Sequence, residues 1–256
     1  MVDFNIDYHK NFLEENGYTI INNVYNIDEI NEYKEEFFKW YNSIKDLDYL
    51  HNTIHCYGIF KFFEVGHQRF AWIARTNEKI INIFKQLWNT DELVTSFDGC
   101  CYYSKDYIGE NRYWTHTDQS SQKKSLCCYQ SFLSLTNNKE RTLLLYNGSH
   151  LLHEDYFNTM EIDEPCDWHI LNKNYVQELA DDRILLDVKA GDLVIWDSRT
   201  FHQNSCGDTK CKEERLIQYL CYLPKYGEGN TLKEENKRRN YFKRIRTTSH
   251  WPYPMN

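Results

Sequence analysis

Apolar positions change their rhythm near residue 93. Before it they fall mostly at helical spacing; after it they come in short runs bounded by turn residues. The opening, residues 5–25, reads as a short helix, a turn at Asn16-Gly17 and a strand beginning at Tyr18. Asn26 followed by Glu29 is a capping-box pattern. Ile27, Ile30, Tyr33, Phe37, Trp40 or Tyr41, and Ile44 then predict an amphipathic helix of about 18 residues with a charged outer face and an aromatic packing stripe. Residues 46–72 are less regular, with His51, His55 and His67 scattered through them. A second helix is expected from Asn77, with Ile80, Ile81, Phe84, Leu87 and Trp88 inside, and both helices are expected to cover a sheet.

The strands expected after residue 93 are 93–103, 113–117, 126–135, 142–146, 184–187, 193–196 and 215–223. The run 126–135 reads as buried on most of one face. Asn147-Gly148-Ser149 and Ala190-Gly191-Asp192 supply turns. One domain follows from this order, with a helical N-terminal segment over residues 1–92, a β core over 93–223 and a tail over 224–256. Within the core, residues 151–183 form a polar, acidic and aromatic insertion suited to a lid or substrate loop. Residues 233–246 carry seven basic residues with Tyr241, Phe242 and Ile245 between them, and read as a helix packed on the core. Their charges form either a solvated face or a dock for an acidic substrate or nucleic acid. The aromatic ending, Ser249-His250-Trp251-Pro252-Tyr253-Pro254, is expected to pack at a specific place.

Composition narrows the class. A net charge of −8 argues against a general nucleic-acid binder. No apolar run approaches the ~20 residues of a membrane span. Nine cysteines without a signal-peptide pattern suggest reduced thiols in a cytoplasmic protein. The pattern sets no oligomeric state.

The candidate chemistry lies in Arg112-Tyr113-Trp114-Thr115-His116-Thr117-Asp118. Positions two apart on a strand share a face, so His116 and Asp118 can reach one point. His202 would complete two imidazoles and one carboxylate, the facial set that leaves three iron positions open for co-substrate and oxygen. That chemistry is an oxygenase's. The pair alone is weak, because ten His and 18 Asp give about 0.7 His-x-Asp pairs by chance. There are two, and His153-Glu154-Asp155 is the decoy: the stretch from His116 to His202 holds several expected strands, that from His153 fewer.

Arg215 heads a mostly apolar strand face with Ile217, Tyr219, Cys221 and Leu223. A guanidinium pointing into a barrel needs an anion, and its fork suits a carboxylate such as the far end of a 2-oxo diacid. A salt bridge to Glu213, or exposure at the strand end, is the alternative.

His116-x-Asp118, Leu143 through Ser149-His150, Gly191-Asp192-Leu193-Val194-Ile195-Trp196 leading to His202, and Arg215, in that order, resemble the phytanoyl-CoA dioxygenase family. Phe12 to Tyr18 resembles the helix and strand with which the family opens, so the likeness spans residues 12–223. Asn147 stands where a proline often precedes Gly-Ser-His, and Ser96-Phe97-Asp98-Gly99 is unusual. The resemblance implies an α+β fold with a mainly β core, a double-stranded β-helix (jelly-roll, cupin-like barrel) with the N-terminal helices packed on one sheet. It implies Fe(II) held by His116, Asp118 and His202, 2-oxoglutarate as co-substrate anchored by Arg215, and O2, with ascorbate as an aid in vitro. The implied reaction is hydroxylation or desaturation of a small-molecule substrate with release of succinate and CO2, since halogenating relatives lack the carboxylate that Asp118 supplies. Tyr103 and Gln130 are candidate co-substrate contacts, with Tyr102, Trp114 and Ser131 as further neighbours; packing is the competing role for the aromatics.

Four rival readings remain. Zinc binding by Cys206-x4-Cys211, Cys100-Cys101 or Cys127-Cys128 fits no standard spacing. A hydrolase would need a nucleophile elbow or phosphate loop that the chain lacks. A non-catalytic cupin-like binding module is the main alternative from another class, and an oxygenase acting on a protein or nucleic-acid strand is the alternative as to substrate.

Overall fold

The computed structural model describes residues 4–45, 57–61, 64–249 and 251–254. His51 and His55 therefore lie outside the described residues. Helix α1 (Ile6–Asn16) is capped at its start by the Asn5 side chain and stopped by Gly17, whose left-handed φ of 79° closes the turn. It leads into strand β1 (Tyr18–Ile21). Helix α2 (Ile27–Tyr41) opens on the full Asn26–Glu29 capping box. It is shorter than the spacing predicts: Asn42 caps it, so Ile44 lies past its end, and Ile27 in its first turn is 65% exposed. Ile30, Tyr33 and Phe37 form its buried stripe.

The irregular stretch contains strand β2 (Ile59–Phe60) and helix α3 (Arg69–Arg75). Helix α4 (Glu78–Trp88) starts at Asn77 as expected. Two strands, β3 (Leu93–Thr95) and β4 (Cys100–Tyr103), replace the single one predicted over 93–103, and both pair with the same long strand near the chain's end. Ser96 to Gly99 interrupts them because the chain there touches other backbone. A Cβ on Gly99 would meet the Phe60 carbonyl oxygen at 1.8 Å, and Asp98 bridges to Thr248.

The remaining strands are β5 (His116–Thr117), β6 (Tyr129–Ser134), β7 (Leu143–Tyr146), β8 (His169–Ile170), β9 (Arg183–Leu185), β10 (Leu193–Asp197), β11 (His202–Asn204) and β12 (Arg215–Pro224). They build two antiparallel sheets. One runs β1-β10-β6-β12-β4-β2 with β3 beside β12; the other runs β8-β5-β11-β7-β9. The alternation of each strand is read by what covers it. Cys100, Tyr102, Tyr129, Leu133, Leu193, Ile195, Leu216, Leu220 and Tyr222 face the N-terminal helices. Cys101, Phe132, Val194, Trp196, Ile217 and Tyr219 face Leu143 and Leu145 of the smaller sheet. So β6 is buried on both faces, not on one as its sequence suggests, because helices cover the outside and the second sheet covers the inside. The arrangement is that of a double-stranded β-helix, two facing sheets rather than a closed barrel.

The insertion packs more than it protrudes. Helices α5 (His153–Thr159) and α6 (Lys173–Glu178) bury Tyr156, Phe157 and Val176 against Leu144, Tyr146 and Phe201 on the outer face of the smaller sheet. Helix α7 (Leu232–Lys243) lies on the body through Phe242 beside Trp72 and Phe97 and through Arg238, which donates to the Pro252 carbonyl, although none of its residues is fully buried. Trp251 and Tyr253 are buried beside Cys128, Cys221 and Leu223, as the aromatic ending suggests. Among the described residues no helix is long and apolar enough to cross a membrane.

Candidate metal centre

Strands β5 and β11 are antiparallel neighbours, and the one pair in register between them is His116 with His202. Cross-strand partners of this kind lie about 5 Å apart whatever their separation in sequence. The two rings sit 4.3 Å apart between centroids. Asp118 follows two residues after His116, on the same face, with its backbone N–H donating to the Ser198 carbonyl at 3.1 Å. Its Oδ2 lies 3.7 Å from His116 Nε2 and 3.4 Å from His202 Nε2. The three donor atoms fall within 4.8 Å of one another, all three side chains are buried, and among the described residues no other such group occurs.

Each imidazole is held through its other nitrogen. His116 Nδ1 meets the Trp114 carbonyl at 3.0 Å and His202 Nδ1 meets the Thr200 carbonyl at 2.8 Å. A carbonyl oxygen only accepts, so each Nδ1 carries a proton and each Nε2 is the ring nitrogen left facing the common point. Burial, then the neighbouring His116, hold the His202 pKa below its ordinary range, which favours the neutral ligand form. Two imidazole nitrogens and one carboxylate oxygen suit iron(II), and among the described residues no cysteine sulfur joins the group. The decoy is elsewhere: His153 is buried with Nε2 2.9 Å from the Gln119 carbonyl.

Gln130, expected near the co-substrate, donates from Nε2 to Asp118 Oδ2 at 3.0 Å, while its Oε1 is buried without a partner among the described residues. Gln203, which the sequence did not single out, clamps the ligand strand: its Oε1 accepts from the Trp114 N–H at 3.2 Å and from the Thr115 hydroxyl at 2.7 Å. Its place next to His202 in the sequence was the available signal.

Arg215 lies at the start of β12 and is 1% exposed. Its Nη1 donates to Cys101 Sγ at 3.4 Å, its guanidinium carbon sits 5.7 Å from the Phe132 ring centroid, and Nη2 has no partner among the described residues. Among the described residues no carboxylate comes within salt-bridge distance of it. Glu213 is occupied elsewhere, accepting from the backbone N–H groups of Lys139, Glu140 and Arg141. Tyr103 is the cross-strand partner of Arg215 and packs on Tyr107 at 4.7 Å. The cavity at His116, Asp118 and His202, about 280 Å³, is lined by Trp114 and Tyr219 but by neither Arg215 nor Tyr103. Tyr102 turns to the helix side and Ser131 donates to the Leu220 carbonyl, so strand alternation takes both away from the centre.

The chain is 29% identical over 182 residues to Ava biosynthesis cluster protein O of Aspergillus versicolor, covering 64% of this chain and 57% of that protein. It thus spans little more than half the length of that relative. The structure of GlcNAc Inducible Gene 2 (GIG2, DUF1479) from Candida albicans superposes with a TM-score of 0.69 at 14% identity, over 92% of this chain and 66% of that one. EctD from S. alaskensis, solved with 2-oxoglutarate and 5-hydroxyectoine, superposes with a TM-score of 0.58 at 13% identity, over 85% and 75%. The family profile described as phytanoyl-CoA dioxygenase (PhyH) matches residues 13–205, three quarters of the sequence, and the chain belongs to that family.

Proposed function

We propose that the protein is an Fe(II)- and 2-oxoglutarate-dependent oxygenase that hydroxylates or desaturates a small molecule, with release of succinate and CO2. The observation that carries this reading is the meeting of His116, Asp118 and His202 at one buried point, two imidazole nitrogens and one carboxylate oxygen. Membership of the PhyH family supports it. In this reading those three residues hold iron(II), and the unpartnered Nη2 of Arg215 takes the far carboxylate of 2-oxoglutarate once the inner side chains make way. When bound, metal and co-substrate supply an oxidant, formed from O2 by oxidative decarboxylation, that removes hydrogen from an unactivated C–H bond.

The chain's own role is positional. The Trp114 and Thr200 carbonyls keep both Nε2 atoms directed, and Gln130 fixes the rotation of Asp118. The inter-sheet core keeps water from the centre, and the cavity walls fix which substrate bond approaches it. Incubation of the purified protein with Fe(II), 2-oxoglutarate and air tests the reading. Slow formation of succinate is expected even without substrate, and Asp118→Ala abolishes it. A folded protein that binds 2-oxoglutarate yet forms no succinate overturns the oxygenase reading and favours a non-catalytic binding module.

A further inference from the structure

Four of the chain's seven tryptophans, Trp114, Trp168, Trp196 and Trp251, line the cavity at the candidate metal centre. Two of them flank a ligand. Trp114 stacks on His116 at 4.7 Å and 20°, and Trp168 leans over the same imidazole at 5.9 Å and 44°. The insertion delivers Trp168 because β8, which begins one residue later, pairs directly with β5: Thr117 opposite His169, His116 opposite Ile170. Most of the insertion is committed to its own small core, but Cys166, Asp167 and Trp168 reach the cavity. Trp168 is 50% exposed there, a large ring with one face unspent.

Trp251 comes from a segment beyond the residues that the family profile matches, and Lys123 joins it to the insertion, lying over its ring at 4.5 Å and pairing with Asp167. The Asp98–Thr248 bridge ties that segment to the loop before β4. Its indole N–H is buried and has no acceptor among the described residues. Buried donors are nearly always paired, so this one has an acceptor to gain from a bound molecule. Among the lysines and arginines of the described residues only Lys61 lines the cavity, and the nearby Lys123 is neutralised by Asp167, too little positive charge to hold a polyphosphate within it.

We infer that the substrate is an uncharged molecule built on a flat ring system with an oxygen acceptor, its ring against Trp168 and its oxygen toward the Trp251 indole. The inference rests on the proposed placement of the chemistry at His116, Asp118 and His202. Indole faces favour a flat π-system over an aliphatic chain beyond the area each buries. A linear acyl chain would fill the same space without that gain.

Calorimetric titration of the full chain with 2-quinolinone, an uncharged bicyclic lactam, tests this against octanoate as the linear control. 2-Quinolinone is expected to bind measurably more tightly than octanoate. Trp168→Leu should weaken it about threefold to tenfold, the range for losing one aromatic contact. The half-exposed position makes that variant safe for folding. Trp251→Phe, which keeps a ring and removes the donor, should weaken 2-quinolinone and leave octanoate unchanged. Octanoate binding as tightly as the lactam, or indifference of the lactam to Trp168→Leu, overturns the inference. The succinate assay on the same preparation reports the metal centre separately, so succinate without ring preference sinks the substrate class alone.

Discussion

Asp118 shows how one side chain outside the ligand set acts on it. The oxygen nearest both imidazoles, Oδ2, is also the one that receives the Gln130 amide. Removing a hydrogen bond that orients a metal ligand typically costs 10- to 100-fold in affinity, so Gln130→Ala should weaken metal binding by about that factor. Competition against a chelating dye would measure it, and an unchanged affinity would return Gln130 to ordinary packing. Arg215 makes a sharper case. Its buried Nη2 has no acceptor among the described residues, and a lysine can supply charge there but not a bidentate fork. Arg215→Lys should therefore bind 2-oxoglutarate more weakly than the parent chain, and Arg215→Ala more weakly again, by calorimetry; equal affinities across the three would remove the anchor.

At the scale of elements, what the sequence made legible follows the strength of each local signal. Asn26 and Glu29 announce α2 and form both reciprocal bonds. Glu29 also pairs with Lys79 at 2.7 Å, joining α2 to α4. Asn26→Ala is expected to cost about 1 kcal/mol in urea unfolding, and a midpoint that does not move would mean that the Glu29–Lys79 pair holds the helix start unaided. Other elements carried no such signal. Helix α3 has no side-chain cap at Gln68, and strands β2 and β8 are two residues long, made by pairing with β4 and β5 rather than by any period of their own. The spacing of His116 and Asp118 could be read as one face, whereas the register that sets His202 opposite His116 is a tertiary fact. Tyr103 could be named as a candidate co-substrate contact, whereas the packing of Tyr107 and Arg141 around it is again a tertiary fact.

On the scale of the whole molecule, burial of uncharged histidines ties stability to pH. Burial, the largest cause for each, lowers the pKa values of His9, His150 and His153 below the ordinary 6.5. A folded-state pKa below the unfolded value means that the unfolded chain takes up protons first as the solution is acidified. The stability these groups contribute is therefore complete above 6.5 and is lost as pH falls through that value toward their folded pKa values. The melting temperature should fall between about pH 7.5 and about pH 5.5, and His153→Gln should flatten some of the slope. Identical melting at both pH values would show that the three rings protonate in place.

The centre itself is tested most directly by adding Fe(II) and 2-oxoglutarate to the purified protein without oxygen and recording the visible spectrum. A metal-to-ligand charge-transfer band is expected, absent in His116→Ala and weakened in Arg215→Ala. A folded protein that gives no band, or a band indifferent to His116→Ala, would contradict the assignment of His116, Asp118 and His202 as the iron site.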